Sequence, residues 1–196
     1  MGQVADRRGR GRRVGIRRVV MVLGVTGVLV ALSAPPAAPL TGTATITAGT
    51  LAFVSAPGNI TFAATLNGAD QTVTQTQAID VGDATGSGTG WNLTATSTTF
   101  TAGAKTLATT ATTVTAAPTD VCDGGATCTL ATNSIGYPYT LPAATTAPTA
   151  TKLFNGAANT GLGNQTITPS WKLSVPASTL TGSYTSTWTL SLVSGP

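Results

Sequence analysis

The sequence predicts an all-β protein, a two-sheet antiparallel β-sandwich with Greek-key-like connections and about nine to eleven strands. Three observations favour this fold class. In short runs, apolar residues recur at every second position, which places them on one face of a strand. Glycine, proline, asparagine and aspartate separate these runs. Threonine is abundant, and its β-branched side chain suits a pleated surface.

The predicted strands of the first half are separated by clear turn signals. In residues 59–66 the apolar side chains alternate most regularly, and Asn67-Gly68 then predicts a tight turn because both residues tolerate a positive φ. A glycine-rich stretch from Asp83 to Gly90 forms a second turn. The strands expected here are residues 43–48, 51–54, 59–66, 71–81 and 90–101.

The second half of the sequence is less regular. Residues 106–116 are a low-complexity segment of threonine and alanine. Pro138 places its strand at a sheet edge or a bend, because proline cannot donate to a ladder. The strands expected here are residues 128–132, 135–141, 171–175 and 184–193.

Residues 1–38 have the pattern of an export signal. All seven arginines lie within the first eighteen residues, an apolar run follows at residues 19–32, and small residues suit cleavage after Ser33 or Ala37. The run is shorter than the roughly 20 residues that span a membrane. We therefore expect a secreted protein, with an uncleaved signal anchor as the alternative, and a single domain over residues 39–196.

Beyond residue 38 the chain is almost uncharged. It carries three lysines and five aspartates, so its formal charge is −2, and the net charge of +4 comes from the arginine-rich start. No basic surface remains that would suit nucleic acid or anionic lipid. We expect no cofactor, no metal and no membrane span after signal cleavage.

The two cysteines, Cys122 and Cys128, lie close together in the sequence. In an exported protein such a pair predicts one disulfide that closes a small loop. A metal or redox site would need partners that are missing, because the chain contains no histidine and no second cysteine pair. A calcium ion held by Asp120 and Asp123 is an alternative, but such a site needs six or more oxygen ligands.

Each of the three tryptophans opens a W-x-L tripeptide, at residues 91, 171 and 188. Because residues i and i+2 of a strand share a face, the tryptophan and the leucine of each tripeptide point the same way. This pattern predicts that the tryptophans belong to the core. The alternative is an exposed indole that stacks on a sugar or a peptide, above all Trp91, which follows a flexible turn. The residues assigned to the core are Trp171, Trp188, Leu93, Leu190 and Tyr184.

Two of these tripeptides, in their context, resemble the WxL domain of Gram-positive surface proteins. The first follows the glycine-rich turn, in Val81-Gly-Asp-Ala-Thr-Gly-Ser-Gly-Thr-Gly-Trp-Asn-Leu93, and the second stands near the end, in Tyr184-Thr-Ser-Thr-Trp-Thr-Leu190. The resemblance covers residues 46–196. It implies an all-β surface protein that associates non-covalently with the cell wall through peptidoglycan or another wall polymer, together with companion surface proteins. The cysteine loop and the leader suggest an actinobacterial branch.

A binding surface is expected around the turn and the strand positions beside the indoles. The candidate binding residues are Trp91, Asn92, Asp83, Thr85, Lys172 and Trp188. Their outward neighbours are threonines and asparagines, which can exchange hydrogen bonds with a polar polymer.

An enzyme is not expected, because the chain lacks a histidine to act as general base and its cysteines are expected to form a disulfide. The alternative function is a structural or adhesive subunit of a surface layer or fibre that pairs through an open edge strand. A second alternative is a cell-wall hydrolase that uses an aspartate pair, Asp80 with Asp83 or Asp120 with Asp123. These aspartates also suit turns, where they bind the local backbone.

Overall fold

The structure is a computed structural model that describes residues 39–196. The predicted export signal at residues 1–38 lies outside the described residues. Within residues 39–196 all regular structure is β-strand, and no helix there could span a membrane. The strands are β1 Leu51–Phe53, β2 Gln71–Thr76, β3 Ile79–Asp83, β4 Trp91–Thr98, β5 Thr101–Ala102, β6 Lys105–Thr106, β7 Thr112–Val114, β8 Thr119–Cys122, β9 Tyr139–Thr140, β10 Ala143–Ala144, β11 Thr151–Gly156, β12 Gly163–Thr168, β13 Ser170–Val175 and β14 Trp188–Ser194.

One layer of the fold consists of two four-stranded sheets that share continuous chain. Their strand orders are β1-β3-β12-β8 and β2-β13-β7-β9, and β2 leads directly into β3 as β12 leads into β13. Pro169 separates β12 from β13, and its carbonyl accepts a hydrogen bond of 3.2 Å from the Gln77 backbone N–H. Proline has no N–H to donate, so the ladder is interrupted there and the layer divides into two parts.

The other layer is centred on β4. Strand β14 pairs with β4 in antiparallel fashion along one edge, while β11 and the short parallel strand β10 share the other edge. A small hairpin, β5 with β6, continues from the end of β4. The all-β fold with antiparallel sheets confirms the predicted fold class.

The core between the layers is built from the inward positions of these strands. Trp91 and Leu93 of β4 are fully buried, as are Ile79 and Val81 of β3 and Trp171 of β13. They belong to one apolar cluster, to which Phe154, Leu153, Ile167 and Val114 contribute. In β13 the residues Trp171, Leu173 and Val175 are buried and Lys172 and Ser174 are not, as the alternation predicts.

The outer face of β4 departs from the alternation. Asn92 and Thr96 point away from the core and yet are almost fully buried, although outward positions were expected to face solvent. Other segments of the chain cover them. The Asn92 side chain donates to the Gly195 carbonyl, and Thr96 Oγ1 donates to the Pro148 carbonyl at 2.7 Å.

The predicted strands differ from the observed strands in two ways. Residues 71–81 were expected to form one strand but are divided into β2 and β3, and breaks of this kind raise the number of strands to fourteen among the described residues. Residues 43–48 and 59–66 were expected to be strands and form none. An alternating pattern marks a face, but a strand also needs a neighbour to accept its backbone hydrogen bonds.

The predicted disulfide joins Cys122, at the end of β8, to Cys128. The two Cα atoms are 5.6 Å apart, which is an ordinary separation for a disulfide. After Cys128 the predicted strand at residues 128–132 is reduced to a single bridge between Thr129 and Leu162.

Candidate functional site

The turn between β3 and β4 carries three hydroxyl groups that form a row with a fourth, from the end of β14. Gly86, Gly88 and Gly90 all have positive φ values, 63°, 65° and 77°, a conformation that glycine adopts without steric cost. The residues between these glycines present their side chains together. Thr85 Oγ1 lies 2.9 Å from Ser87 Oγ, which lies 3.0 Å from Thr89 Oγ1, which in turn lies 3.2 Å from Ser194 Oγ. We call these four residues the hydroxyl row.

Asp83 holds the first member of the hydroxyl row in place. Its carboxylate is almost completely buried and accepts hydrogen bonds from the Thr85 N–H at 2.9 Å and from Thr85 Oγ1 at 2.7 Å. Both bonds are local, as expected for an aspartate in a turn. Asp83 therefore supports the site from below, and Thr85, which is half-buried, forms one end of its surface.

Trp91 fixes the loop beneath the turn. Its indole is fully buried, and its Nε1–H donates to the Gly161 carbonyl at 2.9 Å. A Cβ atom on Gly161 would lie 2.5 Å from Trp91 Nε1, and a Cβ on Gly90 would lie 2.4 Å from the Gly156 carbonyl oxygen. Trp91 therefore belongs to the core, as the W-x-L pattern predicts, and the alternative of an exposed Trp91 that stacks on a ligand is not met.

Asn92 also supports the site from within. Its side chain is 4% exposed and its amide donates to the Gly195 carbonyl, which ties the last strand to β4. Its Oδ1 atom is buried and has no hydrogen-bond partner among the described residues. The neighbouring Gly195 N–H donates to the Gly90 carbonyl at 2.8 Å, so the chain end and the turn are held together.

The other two candidate binding residues lie elsewhere in the fold. Lys172 is half-buried on β13, in register with Thr74 on one side and Thr113 on the other. Trp188 begins β14 and is half-buried in an open groove between residues 57–66 and residues 179–190. The structure therefore brings Asp83, Thr85, Trp91 and Asn92 together at one turn and separates Lys172 and Trp188 from them.

An open groove of about 1420 Å³ runs between residues 57–66 and residues 179–190. We call it the aromatic groove, because Trp188 lies in it with Phe62 and Phe100 beside it, at ring-centroid distances of 6.4 and 6.3 Å. Trp171 contacts Trp188 from the core side in an edge-on arrangement, with the ring centroids 4.8 Å apart. Leu190 and Tyr184, assigned to the core from the sequence, are half-buried here because this side of the core is open.

Trp171 connects the core to the far wall of the aromatic groove. Its Nε1–H donates to Gln77 Oε1 at 2.9 Å, and Gln77 Nε2 donates to the Gly58 carbonyl at 2.7 Å. Gln77 is 8% exposed, so this pair of hydrogen bonds is shielded from water. It fixes the position at which residues 57–66 start along the groove.

Each aspartate of the two pairs suggested by the sequence accepts a hydrogen bond from another residue. Asp83 is used in the turn, and Asp120 accepts from the Ala131 N–H at 2.7 Å. Burial raises the pKa of Asp120, and the bond from Ala131 acts in the opposite direction. Asp80 and Asp123 instead lie on either side of Thr166, whose Oγ1 is 3.0 and 2.7 Å from their carboxylates. Among residues 39–196 no three acidic, cysteine or histidine side chains are grouped as metal ligands.

Sequence reasoning missed Ser87, Thr89 and Ser194 of the hydroxyl row. The signal was present, because Thr85-Gly-Ser-Gly-Thr-Gly90 alternates hydroxyl residues with glycine. Its meaning depends on the left-handed glycines, which determine where the side chains point.

Comparison with protein-family models finds a match that covers residues 34–196. The matching model is the WxL domain, described as surface cell wall-binding. No curated protein and no solved structure matches the chain.

Proposed function

Because the chain belongs to the WxL domain family of surface, cell wall-binding proteins, we propose that it is secreted and retained on the wall by the hydroxyl row, which binds the glycan of peptidoglycan. The protein acts without covalent attachment and without catalysis. The observation that carries this proposal is the row itself. It consists of four hydroxyls, each able to donate and accept: Thr85, Ser87 and Thr89 lie on the turn that precedes the first W-x-L motif, and Ser194 lies at the end of β14.

The charge of the described residues favours a neutral polymer. Residues 39–196 carry three lysines and five aspartates, and Lys105 donates to the Thr181 carbonyl at 2.6 Å. A polyanion such as a teichoic acid is attracted by clustered basic groups, which this surface does not offer. Sugar hydroxyls and N-acetyl groups instead exchange hydrogen bonds with hydroxyl side chains, and such contacts respond weakly to salt.

The rigid support of the row is consistent with a binding role. Asp83 anchors Thr85, the Asn159 N–H donates to the Gly88 carbonyl at 2.9 Å, and Gly195 anchors Gly90. A pre-formed set of hydroxyls loses less conformational entropy when it binds than a mobile loop would lose. In this scheme Trp91 contributes by holding the loop that carries Asn159.

A wall sedimentation experiment tests the proposal. The chain is expressed with its own leader, recovered from outside the cell, and incubated with purified walls before and after removal of teichoic acids. We expect the protein to sediment with both preparations and to remain bound at about 1 M salt, where exposed charge pairs are screened. Retention that needs teichoic acid, or a protein left in the supernatant, would contradict the proposal.

The hydroxyl row is tested with a matched pair of double variants. Ser87→Ala with Thr89→Ala removes the centre of the row, and we expect retention to fall about tenfold, as the loss of one to two net hydrogen bonds implies. Thr72→Ala with Thr76→Ala removes two exposed hydroxyls from β2 and should leave retention unchanged. Equal retention of both variants would exclude the hydroxyl row as the binding surface.

A further inference from the structure

Two segments of the described chain have the alternation of a strand but no strand partner. Residues 41–48 and residues 59–66 each comprise eight residues, and neither forms a backbone-to-backbone hydrogen bond with another described residue. The first such bond after residue 39 is made by the Gly49 N–H to the Ala84 carbonyl at 2.8 Å. Unpaired extended segments of this kind are sites for pairing with another chain.

The aromatic groove has the form of a missing strand. Residues 59–66 form one wall, the first residues of β14 form the other, and Trp188, Phe62 and Phe100 are half-buried between them. Among the described strands β14 forms a ladder only with β4, so the backbone groups on its other edge take part in no described ladder. An added strand of eight residues would extend about 26 Å and could pair with this edge while it covers the rings.

Residues 40–48 have the side chains that such a strand needs. Leu40 and Ile46 fall on one face with Gly42, Ala44 and Ala48, and the other face is made of threonines. Leu40 is 98% exposed and Ile46 is 95% exposed, which are the highest values among the large apolar side chains described. Neither residues 39–50 nor the residues that line the groove include a charged side chain, so no charge would be buried.

The direction of the chain favours insertion into another copy. Gly49 is held beside Ala84 at one end of β3, whereas Gln77, which contributes to the groove, is seven residues away along the same chain. At the rise of a strand this separation is roughly 23 Å. Gly49, at which the segment is attached, therefore lies far from Gln77 and the groove.

We propose that residues 40–48 of one copy occupy the aromatic groove of a second copy as an added β-strand. Ile46 then lies over the aromatic rings, and the backbone of the donated segment pairs with β14. The donor segment and the groove are different surfaces, so each added copy leaves a free groove and a free segment, and repetition gives an open chain of subunits. This assembly does not depend on wall binding.

The oligomeric state of matched variants tests the proposal. The full chain is expressed with its own leader and purified from outside the cell, and its mass is measured by light scattering across concentration. We expect a mass that rises with concentration in steps of one copy. Ile46→Lys would place a charge over the aromatic rings and should give a single copy at all concentrations. Thr45→Lys, on the opposite face of the same exposed segment, should associate as the parent does.

A peptide experiment identifies the groove as the receiving surface. A synthetic peptide of residues 39–50 is added to the Ile46→Lys protein, whose groove is intact and unfilled. Trp91 and Trp171 are already fully buried, so a shift of the tryptophan emission to shorter wavelength reports on Trp188. We expect that shift with the natural peptide and none with the peptide that carries Ile46→Lys.

Several results would overturn the proposal. The first is a parent protein that stays monomeric up to about 1 mM, a concentration at which even millimolar affinity would be visible. The second is an Ile46→Lys protein that still assembles. The third is a natural peptide that leaves the tryptophan emission unchanged. Wall sedimentation of the Ile46→Lys monomer, run in parallel, separates the two proposals. Retention without assembly in the parent contradicts only the strand exchange, and assembly without retention contradicts only wall binding.

Discussion

Replacing Gly161 with alanine tests whether Trp91 is a structural support of the turn. Gly161 has a φ of +71°, and an added Cβ would lie 2.5 Å from Trp91 Nε1 and 3.0 Å from its Cε2 atom. The indole cannot move away, because it is fully buried and packs against Phe154 at a centroid distance of 6.0 Å. We expect Gly161→Ala to destabilise the domain strongly, although it removes no side-chain atom.

The expected magnitude has two contributions. An L-residue held in the left-handed region costs about 1–2 kcal/mol. Forcing a methyl group against a packed ring costs about 1–3 kcal/mol more. Gly86→Ala is the matched control, because Gly86 also has a positive φ, +63°, but an added Cβ would meet no atom within 4 Å. The difference between the two variants therefore isolates the contact with Trp91.

Urea unfolding measures both variants, with the slope m checked for constancy so that the midpoints can be compared. Trp91→Phe removes the Nε1 atom, and in that background Gly161→Ala should cost no more than Gly86→Ala does. The double-mutant cycle should thus show a coupling of about 1–3 kcal/mol. If Gly161→Ala and Gly86→Ala are equally destabilising in the parent, or if the cycle is additive, Trp91 does not hold the loop in the way described.

Three further predictions concern stability. Burial raises the pKa of Asp120 above 3.8, so this carboxyl keeps its proton to higher pH in the folded state than in the unfolded state. The free energy of unfolding should therefore fall as the pH rises from about 3.8 through the raised pKa. The Asp120→Asn protein should lack this decrease when the urea midpoint is measured against pH. Replacing Cys122 and Cys128 together with serine should cost about 2 kcal/mol, because the disulfide closes a loop of only six residues of separation, and calorimetry of oxidised parent and variant measures it. Trp171→Ala should lower the free energy of unfolding by about 3–5 kcal/mol because the ring is fully buried, and Trp188→Ala should lower it less because its ring is half-exposed. If denaturant midpoints show the larger loss for Trp188→Ala, Trp188 is the main core residue.

The faces of the strands were predictable from the sequence, but their partners were not. In β13, Trp171 and Val175 are buried and Ser174 is exposed, because the pleat of the strand alone decides which residues share a face. Residues 59–66 alternate just as clearly and pair with no described strand. Pairing is set by contacts between distant parts of the chain, which a local pattern does not contain.

The candidate site shows the same limit. Asn92 is polar and outward, which predicts exposure, but it is buried, and its amide donates to the Gly195 carbonyl about a hundred residues later. Trp91 follows a glycine-rich turn, which suggests freedom, whereas Gly156 and Gly161, from another part of the chain, pack against its indole. The sequence therefore predicts a turn with unusual backbone conformations at this position, but the rigidity of the turn depends on tertiary contacts.

The three W-x-L motifs perform different physical tasks, and this connects the two proposals. Trp91 holds the loop under the hydroxyl row, Trp171 positions Gly58 through Gln77, and Trp188 leaves part of its ring open in the aromatic groove. A single row of four hydroxyls would bind a glycan weakly, because each net hydrogen bond contributes only about 1 kcal/mol. Copies joined through the groove would present such rows at regular intervals along one polymer, and linked weak sites bind far more tightly than one site does. A domain with few charges and a modest binding surface could in this way remain on the wall without a covalent bond.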